Sequence, residues 1–166
     1  MNRVVLFFVC VALGAGAGCK PAPKITPLDR KQAANLASEA QFVITLREWA
    51  RAEKLYTEAV QRVPDDGDLW LQLGVARRRS GDARGAKQAY ERALKMYTAA
   101  YKKAPAVVHP LLQEVYALGL LGRIDDAREK LAEARRAHPD APEVRNFTDR
   151  AFDEMLADSD FKALSV

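Results

Sequence analysis

Few side chains here are of the kind that make or break bonds, and their neighbours decide what each can do. Of the 166 residues two are histidines, His109 and His138, each standing directly before a proline. An imidazole needs a carboxylate, thiolate or second imidazole at ligand spacing to hold a metal. Neither has one, so both read as solvent-facing residues at helix boundaries. The carboxylate pairs Asp65-Asp66 and Asp125-Asp126 stand at a turn and in a first helical turn. There aspartate accepts hydrogen bonds from unpaired backbone amides. No glycine-rich phosphate loop appears, and no serine lies in a nucleophile-elbow pattern. The expectation is no catalytic residue, no metal and no cofactor. One reactive group remains, the thiol of Cys19; the only other cysteine is Cys10.

Cys19 closes a segment that obeys different rules from the rest of the chain. Arg3 gives a positive start, Val4 to Leu13 are apolar, and Gly14-Ala15-Gly16-Ala17-Gly18 is a run of tiny side chains. The apolar run is shorter than the ~20 residues a bilayer span needs, so residues 1–18 read as a secretory signal peptide. Its Ala17-Gly18-Cys19 ending resembles that of bacterial lipoprotein signals, although Gly16 stands where that family usually carries leucine. The resemblance implies lipidation of Cys19 as the new N-terminus and a membrane-anchored place in the cell envelope. Lys20, where inner-membrane members carry Asp, implies the outer membrane, facing the periplasm. Cysteine arithmetic agrees, because without Cys10 the mature chain offers Cys19 no internal disulfide partner. An uncleaved anchor, or cleavage at a nearby small residue, is the other reading. Each acyl methylene buried in lipid contributes about 0.8 kcal/mol. Residues 19–26, with Pro21 and Pro23, then form a short extended tether.

Composition bounds the remainder. There are 26 Lys plus Arg against 22 Asp plus Glu, with 49% apolar residues, which suits one packed domain and argues against disorder throughout. A net charge of +4 is too small to argue for nucleic acid.

Stepping along the chain, a short phrase recurs. Ala52, Tyr56, Ala59 and Pro64 stand at intervals of four, three and five, and Ala127, Leu131, Ala134 and Pro139 repeat them. Ala86, Tyr90 and Ala93 repeat the first two intervals, with Trp70, Leu73, Gly74 and Gly81 upstream. This W-x2-L-G … A-x3-Y-x2-A … P pattern resembles the tetratricopeptide repeat closely. The fold expected is all-α, a right-handed superhelical α-solenoid of about three helical hairpins plus a C-terminal capping helix. The hairpins fall at about 33–66, 67–105 and 108–139 within residues 27–139, and the cap within 140–166. Helices are predicted over Pro27–Thr45, Trp49–Arg62, Asp68–Arg79, Ala83–Ala104, Pro110–Leu121 and Asp125–Ala137. Pro142 opens one further amphipathic helix, with Val144, Phe147, Ala151, Met155 and Leu156 on its inner side. Ser159 to Leu164 adds a last turn in which Phe161 and Leu164 tuck against the cap. Sustained period-two alternation is absent, so no strand is expected.

The spacing between copies carries further information. Ala52 to Ala86 is 34 residues, the normal period, whereas Ala86 to Ala127 is 41. Seven extra residues are close to two helical turns, so the fourth helix lengthens to about 33 Å and keeps its apolar face in register. Its second half is expected to project from the stack.

In repeats of this family the first helix of each pair lines a concave surface that holds peptides or helices. Carried onto this chain, the resemblance implies a groove lined by Ala37, Gln41 and Ile44, by Leu71, Val75 and Arg78, and by Leu112, Tyr116 and Leu120. Members that grip a C-terminal carboxylate use Lys, Asn and Arg there; Ala37, Gln41, Gln72, His109 and Gln113 take those places here, so that clamp is missing. An apolar trough with one positive edge remains, suited to an amphipathic helix of a protein partner. The alternative is that these side chains pack beneath another segment of the same protein.

Charge is uneven along the chain. Residues 77–103 hold nine basic and two acidic side chains, near +7, and residues 140–166 hold seven acidic and three basic, near −4. The bland reading is cations at a helix end and solvated lysines. The sharper one is an electropositive face, including Arg78, Arg79 and Lys102, for an acidic partner or an anionic lipid surface. Tyr90, Leu94, Tyr97 and Tyr101 form a stripe along the long helix, in which Tyr97 and Tyr101 read either as core or as interface. Function is thus expected to be non-enzymatic scaffolding in the envelope, with outer-membrane or pilus assembly lipoproteins as the look-alikes. Homodimerisation through the helix 83–104 is the alternative. A hydrolase of wall polymers, the third class, would need paired carboxylates in a cleft.

Overall fold

A computed structural model describes residues 24–166; the signal segment and Cys19 lie outside the described residues. Nine helices and no strands occur among the described residues. They are α1 (Pro27–Thr45), α2 (Trp49–Arg62), α3 (Gly67–Arg79), α4 (Ala83–Lys103), α5 (His109–Leu120), α6 (Ile124–Ala137), α7 (Pro142–Asn146), α8 (Asp149–Ala157) and α9 (Ser159–Leu164). Each of the first six packs on the next in sequence, giving three helical hairpins side by side, an all-α tetratricopeptide-type solenoid.

Local chemistry sets the boundaries. At α1 the Thr26 hydroxyl accepts from the Asp29 amide at 3.1 Å, and the Asp29 carboxylate accepts from the Thr26 amide at 2.9 Å. This reciprocal cap satisfies amides that have no intrahelical partner. The Asp66 carboxylate does the same for α3, accepting from Asp68 and Leu69, while the Trp70 indole N–H donates to the Pro64 carbonyl at 3.0 Å and closes the preceding turn. The three hairpin corners share one geometry. Arg47, Gly81 and Gly122 sit at φ of +60°, +93° and +69°. Each is followed by an amide that reaches back over the helix end, from Glu48 to Val43, Asp82 to Arg77 and Arg123 to Leu118, at 2.9–3.0 Å.

The repeated phrase is the seam. Ala52, Ala59, Ala86, Ala93, Ala127 and Ala134 have no exposed surface, and Tyr56, Tyr90 and Leu131 at most 1%. Small residues let the helices approach and the larger one fills the space between them. Gly74 needs its missing side chain, because a Cβ there would lie 2.3 Å from the Tyr90 ring.

Two expectations need correction. The cap is not one helix: α7 stops at Asn146 and α8 starts afresh at Asp149. Thr148 is extended and its hydroxyl caps α8 by accepting from Ala151 at 3.1 Å. Arg135 pins the break, donating to the Phe147 carbonyl at 2.9 Å and to Asp149 at 2.8 Å. The break shifts the helical phase, so Phe152, not Ala151, is the fully buried residue of α8, between Leu131, Val115 and Phe147. Nor does the second half of α4 project. Tyr97 is 4% exposed, lies against Gly67, and donates from its hydroxyl to Asp68 at 2.6 Å. Tyr101 reaches the corner after α6, edge-on to His138 and 3.1 Å from its Nε2. The added turns brace the start of α3 and the end of α6.

Candidate protein-binding groove

Helices α3 and α5 supply the inner wall of the second and third hairpins, and α9 lies across both. Phe161 is 6% exposed and joins one apolar cluster with Leu71, Tyr90 and Leu120. Its ring meets Tyr116 edge-on at 5.3 Å and comes so near Gly119 that a Cβ there would stand 3.0 Å away. Leu164, Met155 and Leu156 pack against the cluster, as do Val75 and Tyr116. Burying a side chain of phenylalanine size contributes about 1.5–3 kcal/mol.

Polar contacts fix the orientation of α9. The Arg78 Nε donates to the Ser165 carbonyl at 2.9 Å and the Tyr90 hydroxyl to the Leu164 carbonyl at 3.1 Å. Val166 donates its amide to the Leu120 carbonyl at 2.9 Å. Arg79 pairs with Asp160 at 3.3 Å and stacks over Trp49 at 5.8 Å, while Arg77 turns away to Glu53 at 3.3 Å. Burial pushes the Tyr90 and Tyr97 hydroxyls well above the usual phenol range, and the Asp68 carboxylate adds to the shift of Tyr97. Both are therefore fixed neutral donors.

The residues expected to line a groove divide accordingly. Leu71 and Leu120 are buried and Val75, Arg78 and Tyr116 half-covered, all beneath or beside α9. This part of the trough is filled by the protein's own chain, the alternative weighed from the sequence. Gln41 is exposed, and Ile44 packs in part on the first hairpin's core. Leu112 remains half-exposed and, with Leu71, Gln72, Gln113, Tyr116 and Phe147, lines an open depression of about 380 Å³ between α3 and the α7–α8 break. On the long helix Tyr97 is core and Tyr101 is taken up by His138, while Lys102 is exposed. A dimer built on α4 would have to do without those two tyrosines.

Phe161 and Phe147 at the groove, and Phe152 beneath it, were not singled out as groove residues from the sequence. The available signal was the acidic end facing a basic middle: Arg78 and Arg79 spend their donors on the last helix. Among the described residues no three His, Cys, Asp or Glu side chains gather as a metal site, and no helix is long and apolar enough to cross a membrane.

The decisive contact is that of Gly74 with the Tyr90 ring, the pairing around which the second hairpin closes. Residues 44–105 match the tetratricopeptide repeat. The match begins at the end of α1 and runs through α4 to Pro105, so it includes the lengthened helix of the second repeat. No curated protein matches the chain. Tetratricopeptide repeats generally serve as non-enzymatic modules for protein–protein contact, and the inner surface formed by α3 and α5 is where this chain itself seats a helix.

Proposed function

We propose that this chain is a non-enzymatic scaffold of the cell envelope, anchored through lipid on Cys19 to the outer membrane and facing the periplasm. Its work is to hold a peptide or amphipathic helix of a partner protein, such as an outer-membrane, pilus or secretion assembly factor. The observation that carries this reading is the trough between α3 and α5, which accepts a short helix by apolar contact and main-chain hydrogen bonds. The open depression at Leu112 and Tyr116 continues it beyond α9. Nothing in this reading requires bond-making; shape and burial do the work.

The full chain, expressed in a bacterium with two membranes, tests both halves. Fatty-acid label is expected on the wild type and not on Cys19→Ala, which should move to the soluble fraction. A photo-crosslinker at Leu112 is expected to capture a discrete membrane-fraction protein, and Gln113→Arg with Tyr116→Ala to abolish that adduct. Unlabelled wild type would overturn the anchor, and adducts indifferent to these substitutions would overturn the groove.

A further inference from the structure

The seat of α9 has a particular chemistry, and it recognises the end of a helix. The last carbonyls of any helix lack intrahelical partners. Two of these at the end of α9, on Leu164 and Ser165, are met by donors from the groove wall, the Tyr90 hydroxyl and the Arg78 guanidinium. A cation at this place also complements the negative end of the helix dipole. Beyond it Ser165 is extended, at φ −68° and ψ 154°, and the Val166 amide continues onto Leu120. Main-chain groups thus receive much of the polar recognition. Sequence enters only through Phe161 in its seat by Gly119, Leu164 one turn on, and Asp160 beside Arg79.

The occupant is weakly built. With six residues α9 is far too short to be a stable helix alone. Its link to α8 is the single residue Asp158, extended at φ −60° and ψ 135°, which ends one helix and caps the next by accepting from Phe161 at 2.8 Å. The outward side, Ser159, Asp160, Lys162 and Ala163, is exposed.

We infer that residues 158–166 are a displaceable internal ligand, and that the partner which displaces them presents a helix C-terminal end bearing an acidic residue, a phenylalanine directly after it and a leucine three residues later, leaving in extended form. This rests on the groove being a helix-binding surface. The segment guards the trough, so a partner must exceed its hold rather than merely find an open site. Tethered segments act at effective concentrations on the order of 1 mM. A latch closed nine-tenths of the time then corresponds to a Kd of about 0.1 mM for the same segment supplied as a free peptide.

The test uses the full chain and a fluorescent peptide of residues 157–166. Phe161→Ala with Leu164→Ala should open the trough and bind the peptide at least ~10-fold more tightly than wild type, whose closed fraction lowers the apparent affinity. A peptide with Phe161→Ala should not bind. Gly119→Leu, whose side chain fills the phenylalanine seat, should release α9 and still refuse the peptide. Should the double variant lose its cooperative melt, Asp160→Lys, which sets a cation against Arg79 and spares the core, takes its place. An opened, folded variant that ignores the peptide overturns the inference. So does wild type binding equally well, or a dimer of wild type, seen by sedimentation, that Phe161→Ala dissolves, because the segment would then belong to a second copy. If the peptide fails while the Leu112 adduct persists, the internal-ligand inference falls and the scaffold reading stands; the converse result has the opposite meaning.

Discussion

Glu114 is 2% exposed on α5, with Lys130 Nζ 3.8 Å away and Thr98 on the facing turn of α4. Burial raises its carboxyl above the usual glutamate range; Lys130 and Thr98 oppose the rise, Glu133 adds to it and the more remote Lys102 opposes it. A raised folded value means that the native state keeps a proton the unfolded chain has already lost. Its stabilising contribution is complete below the unfolded value of about 4.3 and is lost as pH climbs through the folded one. Glu114→Gln should therefore flatten the fall in melting temperature between about pH 4.5 and pH 7, and at pH 7 melt no lower than wild type. Thermal melts at the two ends of that range check this, and an unaltered slope would refute it. Asp29 runs the other way: its hydrogen bonds with Thr26 lower its carboxyl, so its contribution is present above the ordinary aspartate value and is lost as pH falls through the lowered one. Tyr97 exposes the limit of reading single residues. Its place on the apolar stripe was visible in the sequence, but Gly67, the surface it covers, lies thirty positions upstream and belongs to another helix.

Among the elements, the corners are the most uniform feature and contain the one anomaly. Gly81 and Gly122 take left-handed backbone angles at no steric penalty, whereas Arg47 holds the equivalent corner at φ +60°. A side chain in that region costs about 1–2 kcal/mol relative to glycine. Glycine also has more freedom to lose on folding, by roughly 0.5–1 kcal/mol. Arg47→Gly should thus stabilise the protein by up to about 1 kcal/mol, read as a higher urea midpoint with an unchanged slope. Helix limits in the hairpins were legible to within about a residue, because proline, glycine and aspartate punctuate them and state the local hydrogen-bond chemistry outright. The α7–α8 break was not. Thr148 signals a cap only once Arg135, from a different helix, holds Phe147 and Asp149 in place, and no local pattern contains that.

At the scale of the whole molecule, the opposition of a basic middle and an acidic end was legible as arithmetic, and the all-α hairpin stack as periodicity. The meeting of the two ends was not, since Arg78 and Ser165 stand 87 positions apart. A six-residue helix is too short to declare which face it will cover. Of the residues expected to line the groove, Leu71 and Leu120 are covered and Leu112 is half-exposed, which periodicity alone does not tell apart.

That same reach across the stack changes how the array should come apart. Repeat arrays ordinarily lose their units one by one from either edge, each held only by its immediate neighbour. While seated, a strap fastened to α3 and α5 together couples those two hairpins and leaves α1–α2 as the fraying edge. Hydrogen exchange should find slower amides in α3–α6 than in α1; uniform protection along the chain would contradict it.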